Sequence, residues 1–525
     1  MTSDARVMRM LGWVAVAFVT VLALGAFVLL AVEAVRLGDD SWGVGSYVAR
    51  VTGFTLWQAV LSTVLSIGFA LPVARALARR PSFPGRGLLV SMLALPLVIP
   101  ALVASLAVLA VWGRQGLLND AVAVLGFDRI SIYGLPGILI AHVFFNMPLA
   151  ARLMLRHLAA IPPEQWRLSA QLGLSPWSAF RLIEWPALRP HLGSVAMLVF
   201  ALCATSFAVV LTLGGGPRST TLEVAIYQAL RFDFEPARAV VLAFVQLALT
   251  GAIAIALRGR DEALDDDGAL ALPRRYDARG GWALGLDALA IALGAAYLLA
   301  PLVMLVTSGL QADLGQLLGE ASVRGAMLTS LGLGLTAAVL SMLLTAAIVL
   351  GGHAGGTPLR AAGGTVSRLV LLVPPTVIGA GWFLALRGTG AVFSAAPVMI
   401  VLVNAIMALP FTVRVVAPAW SRHASRVDRL ARSIGMGGLA RLMRLDWPAM
   451  RGPLALAFAF ALALSLGDLG VVALFGSQDW TTLPLLLLER MGSYRTDDAA
   501  GLALILAVMC LGIVALAALG ERRRS

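Results

Sequence analysis

Apolar segments of about 20 residues, nearly free of charge, recur along the whole chain, and no other feature constrains its fold as strongly. At 1.5 Å per residue, about 20 helical residues cross the hydrocarbon core of a bilayer. We read twelve such segments, at roughly 10–35, 53–74, 88–112, 135–158, 192–215, 238–257, 281–307, 327–351, 369–387, 396–416, 453–475 and 497–519. In lipid, every backbone N–H and C=O must find its partner within the protein, which leaves helices or a closed barrel. Continuous apolar runs, rather than alternation, select helices. The expected class is therefore all-α: a polytopic membrane protein of about 12 transmembrane helices. Composition agrees, with 59% of the 525 residues hydrophobic and 13% charged. A soluble domain carries about 25% charged residues. The first segment, preceded by Arg6 and Arg9, is too long for a signal-peptide core and is read as a retained helix.

All 40 basic residues are arginine. A chain without lysine cannot form a Walker A loop, whose Lys reaches the phosphates, or a Schiff base with a cofactor. The net charge of +12 does not point to nucleic acid, because the arginines are scattered between apolar spans rather than gathered in a basic domain. Counted with the N-terminus inside, 29 arginines fall in cytoplasmic segments and 11 outside, so the positive-inside rule favours N-in and C-in. Cys203 and Cys510 lie far apart inside apolar spans, match no metal or redox spacing, and read as small core residues. No metal site or cofactor is expected on this chain.

Residues 258–280 (RGRDEALDDDGALALPRRYDARG) break the apolar pattern and read as a cytoplasmic linker. They separate a first half, 1–257, from a second, 281–525. The halves align at an offset of 262 residues: Pro148 and Arg152 fall on Pro410 and Arg414, Gly173 on Gly435, Glu184-Trp185-Pro186-Ala187 on Asp446-Trp447-Pro448-Ala449, and Arg189 on Arg451. LALPLVIP around Pro96 is similar to LLVPPTVI around Pro374 at a shifted offset. Prolines 96, 148, 374 and 410 are expected to kink their helices. Six spans per half is an even number, so the halves run in the same direction, a parallel repeat about the membrane normal.

Each half carries a polar loop, at 159–191 and 417–453, too charged to span. In the first, a short amphipathic helix should run to about Leu172, turn at Gly173, continue as a second short helix, and enter the next span at Pro186, since proline suits a helix's first turn. A glycine followed thirteen residues later by a proline, twice, resembles the EAA loop of type I ABC importer permeases. That resemblance implies a coupling helix docked on a separate ATPase subunit, in two copies, with Gly173, Ile183 and Pro186 in one loop and Gly435, Leu445 and Pro448 in the other. Where the family pattern opens with an acid, this chain has Arg167 and Arg429, so an acidic partner would have to come from Glu164 or Asp428.

Three further stretches, 133–155, 204–239 (with GGGPRSTTLEVAIYQAL) and 464–500 (with GVVALFG and GSYR), are similar to the permeases of bacterial thiamine importers. The similarity covers nearly the whole chain. It implies passage of thiamine or its phosphates through the inner membrane, delivered by a periplasmic binding protein. A ferric-iron importer permease of the same layout is the nearest alternative, and a secondary transporter outside the ABC class a more distant one, since that class usually shows inverted repeats. No catalytic cluster suggests an enzyme.

Asp468, in LSLGDLGVV, sits at membrane depth, roughly 22 Å from the cytoplasmic end of its span. An intramembrane carboxylate is costly and marks a substrate path by default. The competing reading is that it caps a broken helix or pairs with an arginine. Ser206 and Phe207 occupy the matching place in the first half, where a ring could stack on a cation. His142, alone in a span, reads as a helix–helix hydrogen-bonder. Trp185 and Trp447 suit the membrane interface. Arg218, Arg231, Asp233, Glu235, Arg495, Asp497 and Asp498 form a charged periplasmic set open to a docking protein or simply to water.

Overall fold

The computed structural model describes residues 3–37, 45–256, 275, 281–436, 438–477 and 479–522. The linker 258–280 therefore lies outside the described residues except for Arg275. Among the described residues the regular structure is entirely helical. In chain order the helices are α1 Ser3–Leu37, α2 Gly45–Arg79, α3 Arg86–Met92, α4 Ala101–Trp112, α5 Leu117–Val124, α6 Leu135–Ala159, α7 Pro163–Gln171, α8 Pro176–Ala179, α9 Trp185–Ala204, α10 Ala208–Leu213, α11 Leu222–Arg231 and α12 Pro236–Ala256. The second half supplies α13 Gly281–Gln311, α14 Leu314–Gly319, α15 Ala321–Gly355, α16 Thr357–Leu372, α17 Pro375–Arg387, α18 Ala396–Ser433, α19 Gly438–Arg441, α20 Trp447–Leu466, α21 Gly470–Phe475, α22 Leu483–Gly492 and α23 Thr496–Arg522. Among the described residues, eleven helical stretches are long and apolar enough to cross a membrane, or twelve when α16 and α17 are one broken span.

Four of the expected continuous helices are interrupted, among them 192–215 between Ala204 and Ala208 and 453–475 between Leu466 and Gly470. The segment 88–112 divides into α3, a 3₁₀ turn at Leu95–Leu97 and α4, and the segment 369–387 divides at Val373-Pro374. Pro96, Pro100 and Pro374 lack the N–H that would continue the ladder, and their rings exclude the preceding carbonyl. Expected as kinks, Pro96 and Pro374 instead mark breaks. Pro148 and Pro410 stay inside α6 and α18.

The chain forms two compact units that cut across its sequence halves. One contains 1–48, 222–250 and 312–525, so the first helix of the chain packs with the helices of the second half. α1 lies against α15 and α17. The approach to α17 is close because residue 381 is glycine: a Cβ there would sit 2.3 Å from the Ala26 carbonyl oxygen. The adjacent Trp382 donates its indole N–H to the Leu22 carbonyl at 2.9 Å. In a bilayer, such small-residue contacts and hydrogen bonds hold helices together, because the lipid tails already satisfy apolar surface.

The other unit contains 49–221 and 251–311, so α13 packs with first-half helices. Its anchor is Asp287, 5% exposed, which takes Arg79 at 3.2 Å and Arg80 at 2.9 Å from the end of α2. The Tyr297 hydroxyl donates to the Ile140 carbonyl on α6 at 2.7 Å. Within this unit His142 shares a 2.9 Å hydrogen bond with Ser62, a helix–helix contact. Cys203 and Cys510 are both free and buried.

Replacing Asp287 with Ala would strand the buried Arg79 guanidinium without this carboxylate. Breaking a buried pair from one side costs about 3–5 kcal/mol. The D287A protein should lose much of its thermal stability in detergent, read as a lower midpoint of aggregation, whereas a Gly285→Ala control, with open space at its Cβ, should not.

Candidate coupling loops and an intramembrane carboxylate

The two repeated loops share a left-handed glycine and a π turn, although the first has its own helix α7 and the second continues from the end of α18. In the first, α7 ends at a left-handed residue, Gly173, with φ of +60°, and the Leu174 N–H reaches back to the Ser169 carbonyl at 3.1 Å. In the second, the last turns of α18 end at Gly435, with φ of +64°, and the Met436 N–H reaches the Ala431 carbonyl at 2.8 Å. This bond spans six residues and satisfies carbonyls that a helix end otherwise leaves open. Only glycine takes the left-handed turn without penalty. A short helix follows, α8 or α19. In the first loop Ser175 caps α8 by accepting the Ser178 N–H at 3.2 Å.

Each loop then makes one π-helical turn, Phe180–Glu184 and Leu442–Asp446, immediately before Trp-Pro opens the next long helix. Trp185 N–H bonds to the Phe180 carbonyl and Trp447 N–H to the Leu442 carbonyl. The wider turn accommodates Pro186 and Pro448, which have no N–H to give an ordinary helical bond. The turn carries Glu184 or Asp446 inward, to 0% and 6% exposure.

Those two carboxylates hold the loops. Arg75, at the end of α2, donates to Glu184 at 2.6 Å and to the Pro176 carbonyl, and lies over the Phe180 ring at 4.8 Å. Arg275 completes the site by pairing with Glu184 and stacking 3.8 Å over the Trp166 ring. In the second loop Asp446 accepts from His423 at 2.8 Å and Arg441 at 3.2 Å, and Arg441 reaches on to Asp428 at 2.6 Å. His353, from the end of α15, adds a 2.9 Å bond to Asp428. Burial opposes the Arg441 charge, but its bonds to Asp428 and Asp446 outweigh it and hold the guanidinium above its ordinary pKa.

Of the residues expected to act at these loops, Gly173 and Gly435 make the turns, Ile183 and Leu445 are half-buried in the π turns, and Pro186 and Pro448 open α9 and α20. Arg167 and Arg429 point to solvent, as does Glu164, while Asp428 is drawn into the Arg441 pair. Apolar side chains are exposed at matching places: Leu168 and Leu172 in one loop, Leu430 and Ile434 in the other, each more than half exposed. Glu184, Asp446, Arg75, Arg275 and His423 escape a reading by loop pattern. The repeated acid before Trp-Pro is the signal that points to Glu184 and Asp446, but nothing local identifies their partners.

Asp468 sits where a span breaks. α20 ends at Leu466 and α21 starts at Gly470, and one Asp468 carboxylate oxygen accepts the Gly470 N–H at 3.2 Å. The other oxygen, Oδ2, is buried with no hydrogen-bond partner among the described residues. In the other unit α9 ends at Ala204 and α10 starts at Ala208, so Ser206 and the buried Phe207 occupy the same break. Beside Asp468 in its own unit, Gly470 faces Pro375 and Thr376 at the start of α17. Thr376 donates to Glu223, a fully buried carboxyl that also accepts from Gln246 at 3.3 Å. Glu223 lies in the TTLE stretch, and nothing in its local sequence marks it as buried. Of the charged periplasmic set, Asp233 and Glu235 pair with Arg238 of α12, and Arg495 with Asp498.

Residues 43–260 match the family described as binding-protein-dependent transport system inner membrane components. A thiamine transport system permease protein of Brucella abortus is 52% identical over 96% of this chain and 94% of its own length. The chain belongs to this family of inner-membrane transport permeases. The Escherichia coli thiamine transport system permease protein is 40% identical over 95% of each chain. A sulfate transport system permease protein of Synechocystis is 30% identical over 39% of this chain and 73% of its own length. A multi-pass inner-membrane component of an ABC transporter is thus the established class, and the permease takes the role of a transport component rather than a catalyst.

Left-handed backbone costs an ordinary L residue about 1–2 kcal/mol, and asparagine tolerates it better. Gly173→Ala and Gly435→Ala should each open the loop to limited proteolysis, and the corresponding Asn variants should be less affected, as read by cleavage rates of the purified permease.

Proposed function

We propose that this permease carries thiamine or its phosphates inward as the membrane subunit of an ATP-driven importer. ATP is hydrolysed on a separate ATPase, of which two copies engage the two repeated loops from the cytoplasm, with both termini on that side. A periplasmic binding protein delivers the substrate to the opposite face. The observation that carries the coupling assignment is the matched pair of loops: the same left-handed glycine, the same π turn, a buried acid at the same position, and exposed Leu168/Leu172 against Leu430/Ile434. Apolar side chains exposed at i and i+4 at a pinned helix end form a ridge suited to a partner's groove. The thiamine assignment rests on the full-length relatives, whose names specify that substrate.

Within this scheme Asp468 lies on the substrate path. Its unpartnered oxygen offers negative charge at membrane depth, complementary to the thiazolium cation. Ser206 and Phe207 supply the matching position of the first half, where the ring presents its face to the same cation. Arg167 and Arg429 stand on the loop surface, available to acidic residues of the ATPase.

Reconstitution of the permease with its ATPase and binding protein in proteoliposomes tests the proposal. Thiamine-loaded binding protein should stimulate ATP hydrolysis and thiamine uptake together. Uptake that persists with the ATPase omitted would refute it. Leu172→Asp and Ile434→Asp should each weaken copurification of the ATPase without lowering permease yield. Asp468→Asn should slow thiamine uptake by about tenfold, the cost of about 1.4 kcal/mol of lost charge complementarity. Uptake equal to the unmodified protein would remove Asp468 from the path.

A further inference from the structure

The two loops solve one electrostatic problem with arginines from different places. In the second loop the cation that bridges the buried Asp446 and Asp428 is Arg441, supplied by the loop's own short helix. At the repeat offset, the residues facing it in the first loop are Glu184, Trp166 and Ala179. Ala179 is fully buried and brings no charge. The gap is filled by Arg275, about 90 residues further along the chain. Its guanidinium lies on the Trp166 ring at 3.8 Å and pairs with Glu184, and so spans the positions equivalent to Asp428 and Asp446. Trp166 is 2% exposed and the Arg275 side chain likewise 2%. A planar guanidinium suits both contacts at once, because it stacks through its face and donates through its edge.

We infer that Arg275 is the positioning residue of the first coupling loop, standing in for the arginine that the second loop carries internally. Arg275 itself, a residue of the sequence between the two halves, then completes the fold of the loop. This inference rests on the reading of these loops as the ATPase-coupling elements, but the placement of α7 by Arg275 is a property of the permease alone. Removing Arg275 leaves Glu184 paired with Arg75 at 2.6 Å, so the variant keeps no isolated buried charge and is expected to fold.

The test uses single cysteines as burial probes in the full-length permease in lipid nanodiscs, without ATPase. Ser169, on α7, is 4% exposed, and its repeat-related counterpart Ala431 is 0% exposed. The native Cys203 and Cys510 are buried and serve as unreactive background. In the Arg275→Ala background, maleimide labelling of Ser169→Cys should accelerate about tenfold as α7 opens, while Ala431→Cys should label at its original rate. Adding Ala179→Arg should return Ser169→Cys towards slow labelling, a rescue that generic destabilisation does not predict. Arg275→Lys, which keeps charge but not the stacking plane, should fall between. Unchanged Ser169→Cys labelling in Arg275→Ala, or equal acceleration at both probes, would overturn the inference. Should Arg275→Ala fail to accumulate, Arg275→Lys decides: labelling as slow as with arginine would overturn it. In proteoliposomes with ATPase and binding protein, Arg275→Ala should lower uptake per ATP hydrolysed several-fold and leave the concentration dependence on loaded binding protein unchanged. Altered labelling with normal coupling would leave Arg275 as the pin of α7 and count against the coupling role of the loop.

Discussion

The backbone's need for hydrogen bonds in lipid is the constraint on which the rest of this structure depends. Helices meet it residue by residue, so each interruption must be met in some other way. The interruptions fall at Pro96–Pro100 and Val373-Pro374, and again at the Ser206 and Asp468 breaks, at corresponding places in the two halves. At the last of these a side chain does the work, with Asp468 accepting the Gly470 N–H. Broken spans are tolerated where polar backbone lines a cavity or a protein interior.

Outside the spans the governing interaction changes to the buried charge. Glu184 and Asp446 are nearly inaccessible; Arg75 and Arg275 hold the first, and His423 and Arg441 hold the second. Such pairs are poor sources of net stability because desolvation offsets much of the attraction. Their value is geometric. They tie a short helix, a turn and a span end to one point, and so fix the orientation of the exposed ridge at Leu168 and Leu172 or Leu430 and Ile434. Fixed orientation of that ridge, rather than added stability, is what these pairs supply.

The sequence repeat and the compact units describe different things. The repeat relates 148–189 to 410–451, whereas one compact unit joins 1–48 and 222–250 to 312–525 and the other joins 49–221 to 251–311. The exchange follows from local packing: glycine at 381 admits α1 against α17, and Asp287 draws α13 to the end of α2. Neither contact leaves a mark on hydropathy.

By itself the sequence determined the helical class, the span count and the two loops with their glycine turns and proline-opened helices. These depend on side-chain polarity, on φ and on a missing N–H, all properties of a residue and its near neighbours. It also pointed to Asp468, because a carboxylate in an apolar run is visible without knowing what surrounds it. Only the tertiary structure decided that the spans of 88–112 and 369–387 divide, that Glu223 is buried against Thr376 and Gln246, and that leading helices change units. It alone also decided that Arg275 reaches Glu184 and Trp166. Partners about 90 to 360 residues apart are chosen by shape and charge at the point of contact, and no periodicity along the chain records that choice.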